Sequence, residues 1–191
     1  RTCLVGSEMC IRDSLWTVHV LNFLDSITNQ RLTKQTHLIT GASGGMIGAA
    51  FYRENYKKGI YGEIMVNGNE MKRRISKDLL NPLAFSIATT DMFYRFKKHD
   101  DGKYIYTKDR GWFFEKNLIE NLNCFEGKRI LDYKLPEYHS DIPMMIFSPS
   151  VVNDGRRLLI SPQKITFLCN TDTSLFSCLL YTSDAADDSL R

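Results

Sequence analysis

A serine lies among small residues between an apolar run and a helix-forming run, in the stretch His37-Leu-Ile-Thr-Gly-Ala-Ser-Gly-Gly-Met-Ile-Gly-Ala-Ala-Phe51. Its centre, from Gly41 to Gly45, fits the pattern G-x-S-x-G. This pattern constrains the fold most when a strand comes before it and a helix follows at once, because Ser43 then lies on a sharp, strained turn called a nucleophile elbow.

Both flanks predict that context. Residues 36–40 are β-prone and predict a buried strand, and residues 44–58 predict a helix with Gly59 at its C′ position. We expect side chains at Gly41 or Gly45 to collide with neighbouring backbone. The free amides and positive dipole end of a helix start stabilise developing negative charge, and the amide of Gly44 is the expected oxyanion donor.

A phosphate-binding loop or a plain tight turn is the alternative interpretation. A Walker loop needs Gly-Lys-Ser/Thr, which is absent. The glycines Gly41, Gly44 and Gly48 do not have the G-x-G-x-x-G spacing of a dinucleotide loop. Chymotrypsin-type proteases carry Ser-Gly-Gly on an all-β scaffold with no following helix. The strand–turn–helix context favours a nucleophile, although a structural turn stays open.

The two ends of the chain resemble translated sequencing adapters of the transposase type. Residues 8–14 can be encoded by GAG ATG TGT ATA AGA GAC AGn. The reverse complement of AGATGTGTATAAGAGACAG, in another frame, encodes Cys-Leu-Leu-Tyr-Thr-Ser, which is residues 178–183. We therefore expect residues 1–14 and 177–191 to be non-native and residues 15–176 to be an internal piece of a longer protein.

Composition indicates a globular domain. The 191 residues are 43% hydrophobic and 25% charged, near the average for such domains. The formal charge of +3 becomes +5 without the ends, which hold three basic and five acidic residues. Neither value favours a nucleic-acid partner.

Without the ends only Cys124 and Cys169 remain, too few for a disulfide framework or a zinc site, and no metal is predicted. No apolar run has the length of a membrane span and no signal peptide is evident, so no compartment is predicted.

Alternating helix and strand patterns predict one mixed α/β domain. Beyond the elbow, the predicted helices are residues 15–30, 70–80 and 112–123, and the predicted strands are residues 142–152 and 157–160. Polar connections are predicted at residues 31–35 and 97–103. The two strands are predicted to form a hairpin, because Asn153-Asp154-Gly155 is a turn signal.

A serine nucleophile needs a base. The histidines are weak candidates: His19 and His37 precede the elbow, whereas the α/β-hydrolase order places histidine last. His99 lies in a charged loop, and His139 is typical of a surface turn. We expect the base to be an aspartate or to lie outside the chain.

The stretch Leu38-Ile-Thr-Gly-Ala-Ser-Gly-Gly-Met-Ile-Gly-Ala-Ala resembles the elbow of patatin-like phospholipases, and looks closest to the large bacterial members. Family-like segments also occur at Asp78-Leu-Leu-Asn-Pro-Leu-Ala-Phe85, Asp109-Arg-Gly-Trp-Phe-Phe-Glu115 and Ile146-Phe-Ser-Pro-Ser-Val-Val-Asn-Asp-Gly-Arg-Arg-Leu158. The similarity covers most of residues 15–176.

This resemblance implies a three-layer α/β/α domain and a cofactor-free hydrolase that cleaves acyl esters of lipids with a Ser-Asp dyad. Ser43 would be the nucleophile and Gly44 an oxyanion donor, in an elbow with Gly41, Ala42 and Gly45. The family's upstream glycine-rich loop is missing. Its catalytic Asp-Gly motif has one candidate match, Asp154-Gly155, where Arg156 replaces a small residue and turn chemistry also explains the sequence.

The aspartate of the dyad is therefore expected beyond residue 176, and the chain itself is expected to be inactive and marginally folded. A non-catalytic lipid- or membrane-associated module is the alternative function. The apolar residues 83–96 fit a buried core helix or a lipid-facing rim, with the core favoured. The cluster Lys72, Arg73, Arg74 and Lys77 fits a solvated helix face or a membrane surface, with the solvated face favoured.

Overall fold

The chain has the mixed α/β architecture that the sequence predicts. The computed structural model describes residues 2–79, 81, 84–85, 88–89, 98–100, 105–107, 110–150, 157–165 and 179–181. In chain order its elements are α1 (Thr2–Ile27), α2 (Leu32–Gln35), β1 (Leu38–Gly41), α3 (Ser43–Ile60), α4 (Gly68–Ile75), β2 (Lys98–Asp100), β3 (Ile105–Thr107), α5 (Arg110–Leu122), a 3₁₀ turn (Ile130–Tyr133), α6 (Lys134–Tyr138), β4 (Met144–Phe147), β5 (Arg157–Leu159) and β6 (Leu179–Tyr181).

The first helix differs from its prediction at both ends. α1 begins within the predicted non-native end, and it stops three residues before Gln30. Asn29 and Gln30 have φ of 52° and 60°, which takes the backbone out of the helical region. The predicted connection at residues 31–35 is wrong because it contains α2. The Thr33 hydroxyl donates a hydrogen bond of 3.1 Å to the buried Tyr52 hydroxyl, which holds this short helix against α3.

The strand and the helix around the serine are confirmed, but the predicted burial of the strand is wrong, because β1 alternates exposed and half-buried residues and Leu38 is 45% exposed. β1 occupies Leu38–Gly41 and α3 begins two residues later. Gly59 was predicted at the C′ position, and this is wrong, because α3 continues to Ile60 and Gly62 takes the positive φ of 74°. The amide of Tyr61 still bonds the Lys57 carbonyl at 3.1 Å, so the helical turn closes beyond Gly59.

Parallel pairing places β4 beside β1. Their register aligns Leu38 with Met144 and Gly41 with Phe147. β4 covers only part of the predicted strand at residues 142–152. The antiparallel return to β5 is present, since Phe147 and Ile160 exchange two backbone hydrogen bonds of 2.9 Å. The predicted turn at residues 153–155 lies outside the described residues.

Of the two later helix predictions, one needs correction. The helix predicted at residues 70–80 is α4, which is capped by the Asn67 side chain and ends at Ile75. It ends early because Ser76 and Lys77 bond carbonyls of the last turn and Leu79 is buried without helical backbone. α5 matches the predicted helix at residues 112–123 to within two residues.

The predicted loop at residues 97–103 contains β2, which pairs with β3 in antiparallel fashion. Most of residues 83–96 lie outside the described residues. Phe85 is described and is 68% exposed, so the buried helix predicted for this segment is wrong at that position.

The core joins the helices on one side of α3 and the sheet on the other. Its largest cluster packs α1, α3, α4 and α5 through Val18, Phe51, Tyr52, Met71, Ile75 and Leu122. A second cluster joins α3 to β4 through Met46, Ala49 and Met145. α3 is therefore enclosed by helices and strands, and its N-terminal end lies at the carboxyl ends of β1 and β4. In open α/β sheets, ligands bind at this edge.

Candidate active site

Ser43 lies on a strained turn between β1 and α3. Ala42 is extended, with φ of −140° and ψ of 172°, and Ser43 then takes φ of 62°. A non-glycine residue at positive φ is uncommon and strained, and such residues cluster at functional sites. The strained serine that the elbow pattern predicts is therefore present in the backbone. The Ser43 side chain is exposed to solvent.

The crowding around the elbow differs from the prediction. A Cβ at Gly41 or Gly45 would meet only side-chain atoms, at 3.2 Å from Met46 Sδ and 3.3 Å from Thr17 Oγ1. The predicted collisions with backbone at these two glycines are therefore wrong. Such collisions occur at Gly44 and Gly48, because the backbone of α1 is in direct contact with the backbone of α3 at these positions.

At Gly44 a Cβ would lie 2.3 Å from the Cys10 carbonyl oxygen, and at Gly48 it would lie 2.4 Å from the Ser14 carbonyl oxygen. The Ser14 hydroxyl donates to the carbonyl of Gly44 at 2.6 Å and fixes this crossing. The first turn of α3 therefore contacts the part of α1 that the sequence predicts to be non-native.

The Ser43 hydroxyl has one side-chain hydrogen-bond partner among the described residues, the Cys10 thiol at 3.8 Å. In this part of the chain no carboxylate or imidazole is bonded to it. Asp154, the candidate second member of a dyad, lies outside the described residues. The backbone next to the elbow is well anchored, since the Ser148 amide and hydroxyl both donate to the Gly41 carbonyl, at 2.8 and 3.0 Å.

The four histidines lie on different elements of the chain. His19 is exposed on α1 beside Trp16, and the ring of His139 packs edge-on against Tyr138 after α6. His37 precedes β1, and its carbonyl accepts from the Met144 amide at 3.0 Å. His99 lies in β2.

An apolar cavity of about 420 Å³ opens at Ser43. Its volume is within the range of small-molecule sites. On α3 it is lined by residues that recur every three or four positions, namely Ser43, Met46, Ile47, Ala50 and Arg53. The opposite walls come from α5, from the 3₁₀ turn and the segment before it, and from the end of β4 and later residues, including Leu118, Phe125, Ile130, Phe147 and Ile160. The cavity therefore runs along one face of α3.

A second cavity of about 310 Å³ lies on the other side of the elbow, where Gly41, Ala42 and Gly45 line it together with Thr17 and Tyr52. Ser43 is not among its lining residues. Ala42 contributes to both cavities, so the turn separates them.

A group of charged and hydrogen-bonded side chains adjoins the first cavity, and its members Arg53, Lys128 and Tyr133 line it. Arg53 is 5% exposed and donates to Glu137 Oε1 at 2.5 Å and to the Pro143 carbonyl at 3.1 Å. Glu54 is 1% exposed, accepts a hydrogen bond of 2.6 Å from the Tyr133 hydroxyl, and pairs with Lys128. We use the name α3 charge cluster for Arg53, Glu54, Lys128, Tyr133 and Glu137.

The α3 charge cluster has perturbed ionisation. Burial and the neighbouring Glu54 raise the pKa of Tyr133, which therefore stays protonated and donates. Burial raises the pKa of Glu137, and Arg53 acts in the opposite direction by stabilising the carboxylate. The guanidinium of Arg53 lies over the Tyr133 ring at 4.7 Å, and Lys57 lies over the same ring at 4.5 Å. Both contacts have the geometry of cation–π interactions.

The sequence patterns do not predict the charged residues that line the cavity. Glu115 on α5 lines it, and burial raises the pKa of that carboxyl group. Arg129 lines it from the segment before the 3₁₀ turn. No local pattern identifies these residues, because they meet α3 only through the tertiary fold.

Comparisons with protein-family models, with curated proteins and with solved structures gave no match. In the described ranges no helix is long and apolar enough to span a bilayer. The same ranges hold no group of three or more histidine, cysteine or acidic residues placed to bind a metal ion.

Proposed function

We propose that the parent of this chain is a serine acyl hydrolase, a phospholipase or lipid esterase in which Ser43 is the nucleophile of a Ser-Asp dyad. The observation that carries the proposal is the exposed serine at positive φ between β1 and α3, at the mouth of an apolar cavity. The resemblance to the patatin-like elbow supports the same reaction. It also implies that the α/β elements belong to a three-layer α/β/α domain.

The reaction would proceed by attack of Ser43 Oγ on the ester carbonyl carbon. The hydroxyl proton would pass to the aspartate, and the Gly44 amide would donate to the oxyanion that forms. Loss of the alcohol would leave an acyl-serine, which water then hydrolyses. This chemistry needs no metal or organic cofactor, and its partner is a lipid or acyl-ester substrate.

The direct test is Ser43→Ala in the longer parent protein, recovered from the overlapping genomic sequence and assayed with a fluorescent acyl ester. We expect turnover to fall by at least three orders of magnitude, because nucleophile loss leaves only binding and oxyanion stabilisation. Ala42→Ser is a matched control for a small change in the same turn. Unchanged turnover in Ser43→Ala would refute the nucleophile role.

The 191-residue chain should itself be inactive, because no carboxylate among its described residues is bonded to Ser43 and the proposal expects the dyad aspartate elsewhere. Robust ester hydrolysis by the purified chain would contradict this expectation. It would also make Asp154 the first aspartate to substitute.

A non-catalytic lipid- or membrane-associated module is a second candidate. The observation that favours it is the environment of Ser43, whose hydroxyl contacts the Cys10 thiol and no described carboxylate. A fluorophosphonate probe that fails to label the longer protein, or a complete gene without an Asp-Gly motif, would support this second function over the first.

A further inference from the structure

A third cavity, of about 350 Å³, lies between α1, α3 and the segment that leads into α4. Its described lining residues all lie between Asn22 and Gly68, outside the two predicted non-native ends, and Ser43 is not among them. The volume is within the range of small-molecule sites. The reaction proposed at Ser43 does not use this space.

Asp25 on α1 is the charged group of this cavity. The other described lining residues are neutral, so no lysine, arginine or histidine among them offsets the carboxylate. Asp25 is half-buried, and its Oδ1 atom is buried with no hydrogen-bond partner in the described part of the chain. A carboxylate that is partly withdrawn from water without a counterion is costly. A cation in the cavity would reduce this cost.

Two tyrosines on α3 line the same cavity. Burial and the nearby Asp25 carboxylate raise the pKa of Tyr52 to about 12, and the same two causes raise the pKa of Tyr56. Both phenol groups therefore stay neutral. The described wall of the cavity keeps the single negative charge of Asp25.

Several polar side chains of the wall use their hydrogen-bond donors within the protein. The amide nitrogens of Asn22 and Asn55 and the hydroxyl of Ser26 donate to backbone carbonyl groups at 2.7 to 2.8 Å. The side-chain oxygens of Asn22 and Ser26 keep the capacity to accept, as does the carboxylate of Asp25. A ligand that matches these groups donates hydrogen bonds and is positively charged. A primary ammonium group has three donors and no acceptor.

The N-terminal end of α4 also lies at this cavity, because the helix begins at Gly68. A helix N-terminus favours anions, but with only about half an elementary charge. The Asn67 side chain already accepts a hydrogen bond of 2.8 Å from the Glu70 amide in this first turn. The full charge of Asp25 therefore outweighs the helix end, and a cation is favoured over an anion.

We propose that this third cavity binds a small primary amine, with Asp25 as its counterion and with Asn22 and Ser26 as acceptors for its N–H groups. Met65 and Val66 also line the cavity and would contact the apolar stem of the amine. The proposal goes beyond the proposed function and does not depend on Ser43.

The experiment measures binding of butylammonium to the 191-residue chain from the shifts of backbone amide signals in NMR spectra. Butanol and butyrate are neutral and anionic probes of similar size. Butylammonium should bind about tenfold or more tightly than butanol, because only the ammonium group makes a charge-assisted hydrogen bond, and butyrate should not bind. Failure of butylammonium to bind, or an equal affinity for butanol or butyrate, would overturn the proposal.

Butyltrimethylammonium tests whether the N–H groups are recognised, because it has the same charge and no N–H donor. It should bind about tenfold or more weakly than butylammonium. Equal affinities would overturn the primary amine as the ligand class.

Asp25→Asn tests the counterion. It should weaken butylammonium binding by about tenfold or more, since the charge-assisted hydrogen bond is lost. Asp141→Asn is the matched control, because Asp141 is exposed and is not among the described lining residues. Its affinity should equal that of the unsubstituted chain. An unchanged affinity in Asp25→Asn, with an unchanged circular dichroism spectrum, would overturn the site.

If Asp25→Asn does not fold, the probe series on the unsubstituted chain decides, because it needs no substitution. Nα-acetyl-lysine methylamide presents the same ammonium group on a peptide. Binding tighter than that of butylammonium would identify a lysine side chain as the source of the amine, and weaker binding would identify a free amine. Neither result depends on whether Ser43 reacts with a fluorophosphonate, so this proposal and the proposed function fail separately.

Discussion

The two halves of α3 are held in place by different kinds of interaction. Its first half, from Ser43 to Ala50, carries small residues and is held by backbone contact with α1, which leaves the serine exposed at a strained turn. Its second half buries Arg53 and Glu54 and is held by the α3 charge cluster. The strained serine is therefore supported by close packing of α3 on α1, whereas buried charges and their partners hold the second half of the helix.

The largest loss of stability should come from breaking the buried Arg53–Glu137 ion pair in the second half of α3. Glu137→Gln leaves the Arg53 guanidinium buried without its counterion, so the free energy of unfolding should fall by about 3–5 kcal/mol. Urea denaturation followed by circular dichroism measures it. The double variant Arg53→Met with Glu137→Leu should recover most of that loss, because no charge is then left unpaired.

Glu120→Gln is the control for losing a carboxylate from an ion pair. Glu120 pairs with Lys116 at 3.8 Å on α5, and both side chains are more than half exposed. Its loss should cost no more than about 0.5 kcal/mol. Equal losses in Glu137→Gln and Glu120→Gln would mean that the α3 charge cluster does not anchor this half of the helix.

The sequence predicted the first half of α3 far better than the second. A β-prone run, a glycine-rich turn and a helix start are local signals, and they locate β1, the elbow and α3 correctly. The burial of Arg53 and Glu54 has no local signal, because Glu137 is 84 residues from Arg53 and Tyr133 is 79 residues from Glu54. Only the tertiary fold brings these groups together.

The same distinction explains the errors at the glycines. The pattern G-x-S-x-G predicts backbone collisions at Gly41 and Gly45, whereas the close backbone contacts occur at Gly44 and Gly48. These two positions are four residues apart and face α1, so their constraint comes from a helix crossing that the motif does not encode. At Gly59 the C′ prediction failed because the backbone bonds of Tyr61 and Glu63 continue the turn.

A smaller effect should come from the helix crossing. Gly48→Ala places a methyl group against the Ser14 carbonyl, which is backbone and cannot move aside, so the free energy of unfolding should fall by about 1–3 kcal/mol. Gly45→Ala meets only the Thr17 hydroxyl at 3.3 Å. It should be neutral or stabilising by up to about 1 kcal/mol, because alanine favours a helix.

Urea denaturation of the two glycine variants side by side separates crowding from helix propensity. Similar stabilities for Gly48→Ala and Gly45→Ala would show that close packing on α1 does not hold the first half of α3. A loss confined to Gly48→Ala would support the comparison between the two halves.

The smallest effect on stability should come from the solvent-accessible ion pairs on α4. Arg73 and Arg74 donate to the partly exposed Glu70, at 2.6 and 2.9 Å, and these hydrogen bonds lower the pKa of Glu70 to about 2. A lowered carboxyl pKa means that the folded state favours the ionised form. The stabilisation is therefore complete above the ordinary carboxyl pKa of 4.5 and is lost as the pH falls from there towards about 2.

Carbon-13 NMR titration of the Glu70 carboxyl group measures this directly. Salt at 0.5 M should return its pKa towards the ordinary value, because exposed pairs are screened. Glu70→Gln should remove this part of the acid dependence of unfolding, and Glu63→Gln, on the exposed loop after α3, should not. A Glu70 pKa that salt leaves unchanged would place these charges with the buried α3 charge cluster instead of the solvated surface. The contrast between buried charges that hold the second half of α3 and solvated charges on the surface of α4 would then no longer hold.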